Sequence, residues 1–365
     1  MKVYHVTASG GLYGAERALI DLATAQVRAG LDVTIISLNT GHGSDKVEKE
    51  FARNNLKYLS LPFEKKISRR QVSGLKSLLN EGRPDIVHSH NYKANIYSVL
   101  CKPKENTCRL VSTAHGYLLP SMFSALRLYY FLDRKFLRKF DHIVCVSDRT
   151  RQSLKNSLSS FVSTSVIRNG ISSGGVDFEN SDVPFEHQKY NLICVGRLSP
   201  EKNYSEAIEI FSHILSVIPN SVLWIVGSGP EADALKQFSD KLGLREKVVF
   251  LGYRTDAEAL IRCADMLMIS SKSEGLPITL LEAMKHSTVV AYRDVGDIDY
   301  VLNHGKLGCR MYGPPEHCAR DIVNLLKNDE KRMLMAHGAA QRLRDQFSAE
   351  SMEKQYREVY RMVMQ

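Results

Sequence analysis

The sequence predicts two α/β domains, each a parallel β-sheet covered by helices on both faces. Three observations lead there. Short apolar or β-branched runs alternate with helix-length segments from end to end, as crossover-connected parallel sheets require. The alternation pauses and restarts across a Gly/Ser and acidic stretch. The length of 365 residues exceeds the usual size of one compact domain and suits two of roughly 150 to 200 residues.

In the first half, Met1 to Val6 reads as a short buried strand, followed at once by Gly10 and Gly11. Further strand-like runs are Val33 to Leu38, Ile86 to His88, Leu110 to Ala114, His142 to Val146 and Ser165 to Ile167. The series restarts with Asn191 to Val195, Val222 to Val226, Val248 to Leu251, Met266 to Ser270 and Thr288 to Ala291. Between the series, Ser172, Ser173, Gly174 and Gly175 lead into Asp177, Glu179, Asp182 and Pro184, which places a linker near residues 172 to 189. The expected division is a first domain over 1–175, a second over 188–345, and a C-terminal segment over 346–365. Its helical stretch, Ser351 to Met364, has the character to cross back onto the first domain.

Hydrophobic residues at 44% and charged residues at 24% exclude disordered and fibrous classes. The N-terminus lacks the apolar core and cleavage site of a signal peptide, and no run approaches the roughly 20 apolar residues that span a bilayer. The expected location is the cytoplasm. Seven scattered cysteines without a Cys-x-x-Cys pair read as reduced structural thiols rather than a disulfide framework or zinc site. Through residue 180 there are 26 Lys and Arg against 15 Asp and Glu, or +11, which leaves 23 against 25, or −2, from the total of 49 and 40. Such a basic first half suits nucleic acid, anionic lipid or a phosphorylated substrate, and charge alone does not choose.

Ligands of open α/β sheets bind beyond the carboxyl ends of the strands, so the loops there carry the functional reading. The most informative is SKSEGLPITLLEAM, Ser271 to Met284. Gly275 and Pro277 make a tight entry to a helix starting at about Ile278, whose unpaired N–H groups and positive dipole end suit a phosphate. Glu274 and Glu282 bracket that start. Carboxylates accept hydrogen bonds from paired hydroxyls, so a diphosphate with a sugar at one end and a ribose at the other fits between them. The alternative is that Glu274 only complements the dipole and Glu282 is solvated.

In VGRLSPEKN, Val195 to Asn203, Arg197 and Lys202 flank Pro200. They suit one diphosphate, or else decorate an ordinary surface loop. VGSGPEA, Val226 to Ala232, matches Gly-x-Gly-x-x-Ala through Gly227, Gly229 and Ala232. It falls in the second βα unit of its domain, where a dinucleotide fingerprint does not belong. In the first half, Gly10 and Gly11 permit close backbone approach to a phosphate or sugar. His115, with Gly116 after the run ending at Ala114, reads as a residue at the reacting centre or as structural. His88 and His90 share one face of a strand without a third ligand in view and read as structural.

Taken in order, GGLYGAER, IVHSHN, TAHG, IVCVSD, VIRNGI, VGRLSPEKN, IVGSGPE, VVFLGY and SEGLPITLLEAM resemble the retaining glycosyltransferases of family four, over nearly the whole chain. The resemblance implies the GT-B fold, two Rossmann-like domains whose parallel sheets face a central cleft. It implies a nucleotide-diphosphate sugar donor, UDP-linked, and a glycan or lipid-linked glycan acceptor in the synthesis of cell-surface polysaccharide or lipopolysaccharide. Arg197 and Lys202 would hold the diphosphate, Glu282 the ribose, and Glu274 with Gly275, Leu276, Pro277 and Ile278 the transferred sugar. Gly11 would meet the phosphate, His115 the donor sugar, and Tyr253 or Arg254 the base. Catalysis would rest on His115, Glu274, Arg197 and Lys202 with no covalent nucleophile, metal or cofactor, the leaving diphosphate being stabilised electrostatically.

The sequence departs from the family pattern after Met284. Ser287 and Thr288 stand where a Gly and a Pro are usual, and Asp299 and Tyr300 where a Pro-Glu pair follows the Val-Gly-Asp turn. The resulting Asp-x-Asp, Asp297 and Asp299, reads as coincidence rather than a metal pair. Phe123 to Phe140 interleaves apolar residues with Arg127, Arg134, Lys135, Arg138 and Lys139, a pattern that fits either peripheral binding to an anionic membrane surface at the inner face or a buried domain helix whose charged side chains reach water. Two other readings remain: a nucleotide-sugar epimerase on the same fold, and a nucleic-acid-binding protein. The second lacks any recognisable nucleic-acid module.

Overall fold

The computed structural model describes residues 1–8, 11–39, 44–63, 69–103, 108–115, 132–155, 162–172, 183–185 and 190–365. The chain forms two compact units, Met1–Ser172 with Ser348–Gln365, and Ser173–Phe347. Both are parallel-sheet α/β units, as the alternation predicts.

The first sheet contains β1 (Lys2–Thr7), β2 (Asp32–Asn39), β3 (Tyr58–Pro62), β4 (Ile86–Ser89), β5 (Arg109–Ala114), β6 (His142–Cys145) and β7 (Thr164–Val166). Their order is β3-β2-β1-β4-β5-β6-β7, with every neighbouring pair parallel. The second contains β8 (Tyr190–Val195), β9 (Ser221–Val226), β10 (Val248–Gly252), β11 (Met266–Ile269), β12 (Val289–Tyr292) and β13 (Cys309–Arg310), in the order β10-β9-β8-β11-β12-β13, again parallel. In each sheet the winding direction reverses beside the first strand, between β1 and β4 and between β8 and β11. Those two points are where a ligand crevice is expected in such sheets.

Central strands such as β9 are buried at every position because helices cover both faces. The two strands absent from the sequence reading are edges. β3 is half-exposed throughout, and β13 has two residues, so neither carries the apolar run that marks a covered strand.

The helix Ala349–Met364, capped by the Ser348 hydroxyl accepting from the Ser351 N–H at 3.2 Å, belongs to the first unit. Its Met352, Tyr356, Val359 and Tyr360 pack with Val3, Leu19, Ile35 and Val144 on one face of the first sheet. The returning chain is fastened by the Ala349 N–H to the Ile171 carbonyl at 3.0 Å and the Gly170 N–H to Met352 Sδ at 3.2 Å. The opposite face is filled by Tyr4, Leu38, Leu79, Tyr97, Leu137 and Phe140. The last two correct the membrane reading in part: residues 123–131 of Phe123 to Phe140 lie outside the described residues. Within 132–140, Leu137 and Phe140 are core, while Lys135, Arg138 and Lys139 are exposed.

Candidate functional site

The second unit gathers its candidate residues at the β8/β11 reversal. Beyond β8 the chain runs through Gly196 to Asn203, with a 3-10 turn at Pro200–Lys202 and Asn203 in the left-handed region at φ 52°. Beyond β11 it runs through Ser270 to Pro277 into the helix Ile278–Lys285. The two loops are joined directly: the Ser270 hydroxyl donates to the Lys202 carbonyl at 3.0 Å, and the Lys272 N–H donates to the Glu201 carbonyl at 2.8 Å. This stitching aligns two predicted side chains. Lys202 Nζ donates to Glu274 Oε1 at 2.6 Å, and the Ser271 hydroxyl donates to the same oxygen at 2.6 Å. Both charged groups are largely covered, at 21% and 11% exposure, so their attraction is less screened than that of a surface pair.

The helix begins at Ile278, where the sequence placed it, with Pro277 at the N-cap and no side chain capping it. Apart from the Leu280 N–H, which donates to the Pro277 carbonyl at 3.2 Å, its first-turn donors suit an anion. Glu282 lies in this helix at 4% exposure. The solvated reading of Glu282 is corrected by that burial: a carboxylate is not placed there for hydration alone. Arg197 is exposed on the β8 loop. Tyr253 is half-buried after β10, and Arg254 forms a two-pronged pair with Asp256 through Nε at 2.8 Å and Nη2 at 2.7 Å.

The glycines of VGSGPEA have a steric explanation. Gly227 has φ +147°, and a Cβ there would lie 1.8 Å from the Gly196 carbonyl oxygen; one at Gly229 would lie 2.2 Å from the Leu198 carbonyl oxygen. They allow the β8 and β9 loops to pack backbone on backbone. The Asp-x-Asp residues are engaged within the protein. Asp299 accepts from Tyr292 Oη at 2.8 Å and His304 Nδ1 at 2.9 Å, and the Asp297 N–H donates to the Gly275 carbonyl at 3.1 Å. Burial works to raise the Asp299 pKa, but the bonds from His304 and Tyr292 and the nearby Arg310 charge hold it below the ordinary value.

Sequence reasoning missed Ser271, which orients Glu274, and Gly296, whose φ of +58° and Cβ position 2.2 Å from the Gly275 carbonyl oxygen let the β12 loop pack on the Glu274 segment. Only the turn residues around Gly296 signalled this.

In the first unit Gly11 is buried beside Tyr13, ahead of the helix Gly14–Arg28. His115 follows β5. The reading of His88 and His90 without a third ligand is corrected: His5 on β1 joins them, with candidate ligand atoms all within 4.8 Å. All six ring nitrogens already have protein partners. His5 contacts Gln26 Oε1 at 2.7 Å and His90 Nε2 at 2.9 Å. His88 contacts Tyr360 Oη and Thr113 Oγ1, each at 2.7 Å, and His90 Nδ1 reaches His115 Nε2 at 3.5 Å. Asn91 of the same segment accepts from the Ala94 N–H at 3.0 Å and caps the next helix. Burial pushes the His5 and His115 pKa values down to about 4, and those of His88 and His90 well below the ordinary value.

Two family models match in tandem: Glycosyltransferase Family 4 over residues 13–173 and Glycosyl transferases group 1 over residues 176–342. The two-unit fold is that of the GT-B glycosyltransferases, matching Anabaena Alr3699/HepE in complex with UDP and glucose at TM-score 0.82 and 21% identity, over 99% of this chain and 100% of that one. The chain belongs to the group 1, family 4 glycosyltransferases. It is 24% identical, over 78% of its length and 76% of the relative's, to the UDP-Gal:alpha-D-GlcNAc-diphosphoundecaprenol alpha-1,3-galactosyltransferase of Escherichia coli. It is 26% identical, over 98% of both chains, to the lipopolysaccharide core biosynthesis glycosyltransferase LpsE of Rhizobium meliloti.

The histidine cluster gives a pH dependence with a definite sign. Between about pH 6.5 and the folded value of about 4, the unfolded chain binds protons at these imidazoles that the folded chain does not. Their contribution to stability is therefore full above about pH 6.5 and lost as the pH falls toward 4. Urea unfolding at pH 7, 6 and 5 is expected to show a falling midpoint for the first unit, and a constant midpoint would mean that the imidazoles titrate normally.

Proposed function

We propose that this enzyme is a retaining glycosyltransferase that moves a hexose from a nucleotide-diphosphate sugar, UDP-linked, to a hydroxyl of a glycan or lipid-linked glycan in cell-surface polysaccharide assembly. The observation that carries the reading is the convergence of Lys202, Glu274 and the uncapped helix start at Ile278 on the β8/β11 reversal. The E. coli relative's name specifies a UDP-sugar and a lipid diphosphate acceptor, the Rhizobium relative's a lipopolysaccharide core, and the Anabaena structure holds UDP and glucose. These support the donor and acceptor classes.

On this reading Lys202 and Arg197 hold the diphosphate together with the N–H groups at Ile278, Glu282 accepts from the ribose hydroxyls, and Tyr253 or Arg254 lies by the base. Glu274 and the Gly275 to Ile278 backbone hold the sugar; Gly11 and His115 are assigned to phosphate and sugar from the first unit. As the glycosidic bond to the diphosphate breaks, charge grows on the leaving oxygens, and fixed donors stabilise it without reorganising. The acceptor hydroxyl attacks on the same face and its proton passes to the departing phosphate.

Glu282→Gln is expected to weaken nucleoside diphosphate binding roughly ten- to a hundredfold, the scale of a lost charged hydrogen bond of about 1.5 to 3 kcal/mol. Glu274→Gln should instead lower kcat with the full nucleotide sugar while nucleoside diphosphate affinity changes little. Calorimetry and steady-state kinetics on both variants separate the two effects, and wild-type constants in both would sink the assignment.

The same assay tests the metal. Because Arg197, Lys202 and the helix start supply positive charge, transfer is expected to survive EDTA. Loss of activity restored by Mn or Mg would return Asp297 and Asp299 to consideration as ligands.

The acceptor reading places the enzyme at the inner membrane face, where exposed Lys135, Arg138 and Lys139 would each contribute about 1 kcal/mol against anionic lipid. Sedimentation with anionic vesicles at low salt is expected to capture wild type more than a variant with those three residues as Gln. Equal, negligible capture would favour a soluble acceptor.

A further inference from the structure

Three of the histidines at the β1/β4 reversal are joined in series, and the series ends on a nitrogen with nothing attached. His115 Nδ1 is buried and, among the described residues, has no hydrogen-bond partner. At the other end stands Gln26, fully buried, whose Oε1 meets His5 Nε2 at 2.7 Å and whose Nε2 donates to Tyr360 Oη at 3.1 Å. An amide oxygen only accepts and an amide nitrogen only donates, so Gln26 imposes a proton order in both directions.

Along the first arm, His5 must carry its proton on Nε2 to donate to Gln26, which leaves Nδ1 as an acceptor. His90 then donates from Nε2 across 2.9 Å, and its Nδ1 accepts from His115 Nε2 across 3.5 Å, the longest link. His115 is left with a bare lone pair on Nδ1. Along the second arm, the Tyr360 hydroxyl accepts from Gln26 and donates to His88 Nδ1. His88 Nε2 donates to Thr113 Oγ1, whose hydroxyl donates to Tyr356 Oη at 2.9 Å. Every link is used once and no proton is shared by two donors. In this order all four imidazoles are neutral Nε2–H tautomers, and among the described residues the last is the only ring nitrogen of the four without a partner. No metal is needed to satisfy His5, His88 and His90, since their lone pairs are already taken.

We propose that Gln26 is a positioning residue that fixes the tautomer of His115 through His5 and His90, so that His115 presents Nδ1 as a hydrogen-bond acceptor for a hydroxyl of the donor sugar. The hydroxyl contact rests on the donor reading above; the proton order does not. A buried acceptor without a partner costs stability, so this nitrogen favours a ligand group that donates, as a sugar hydroxyl does, over one that only accepts.

The test is long-range 1H–15N correlation of the histidine rings in the full-length protein, with His115 assigned by loss of its signals in His115→Gln. Protons on Nε2 of His5, His90 and His115 are expected in the wild type. A proton on His115 Nδ1 overturns the proposal, because it means the Gln26 amide is reversed and every donor with it. In Gln26→Leu the three rings are expected to become tautomer mixtures, with kcat falling on the order of tenfold while nucleoside diphosphate affinity stays within twofold. Unchanged ring signals, or unchanged kcat, in folded Gln26→Leu overturn it as well. Zinc(II) titrated to one equivalent is expected to leave the ring signals in place; its capture by His5, His88 and His90 consumes the same lone pairs and overturns the order. Absence of transfer from any nucleotide sugar, with the Nε2–H order intact, removes the donor reading and with it the hydroxyl contact, while wild-type transfer with reversed tautomers removes this proposal alone.

Discussion

The candidate site of the second unit depends on backbone packing where strand ends meet. Between the β8 and β9 loops the separation is small enough that a methyl group at Gly227 would sit 1.8 Å from the Gly196 carbonyl oxygen. With no Cβ present, the Gly196 and Leu198 N–H groups reach the Val226 and Ser228 carbonyls at 2.9 and 3.0 Å. Gly227 also holds a φ of +147° that residues with side chains rarely adopt. The β12 loop repeats the device through Gly296 against Gly275. Because side-chain direction follows backbone position, these contacts set where Lys202 and Glu274 point. The glycines therefore act on the candidate site through loop shape.

This explains what the sequence revealed and what it concealed. The alternation of apolar runs located the covered strands to within about a residue because a strand buried on both faces is apolar over most of its length. β3 and β13 escaped since edges carry no such requirement. The start of the helix at Ile278 was legible from Gly275 and Pro277, whose backbone preferences are local. Ser271 was not, because its bond to Glu274 depends on a loop path that no local pattern specifies. Residues far apart in sequence were hardest to connect: His5 and His88 pair in register between β1 and β4, and only the strand order brings His5 to the His88–His90 pair. The pairing of Arg254 with Asp256 is local and chemically plain, yet nothing in the sequence distinguished it from a free arginine aimed at a base.

The two units carry unlike chemistry at corresponding places. At its β8/β11 reversal the second unit holds charge, with Lys202 and Glu274 largely covered. At its β1/β4 reversal the first holds neutral imidazoles, kept so by burial and tied to the returning C-terminal helix through Tyr360 and Tyr356. The excess of +11 in the first half therefore does not describe the chemistry at its β1/β4 reversal. Much of it lies on exposed side chains such as Lys135, Arg138 and Lys139, where water and salt screen it. Net charge and site charge are separate properties here, and only the second bears on a phosphate or a sugar.

On the proposed reading, the Lys202–Glu274 pair supplies a reason for selecting a whole nucleotide sugar over its parts. Each group satisfies the other at 2.6 Å. A phosphate that draws the ammonium away leaves Glu274 largely covered with the Ser271 hydroxyl as its remaining partner, and removing one member of a covered pair costs more than the pair itself contributes. A ligand with hydroxyl groups beside its phosphate returns donors to the carboxylate as it removes the cation. On the proposed reading the two halves of the donor thus bind cooperatively through one exchange of partners, which begins at Lys202 and is completed at Glu274.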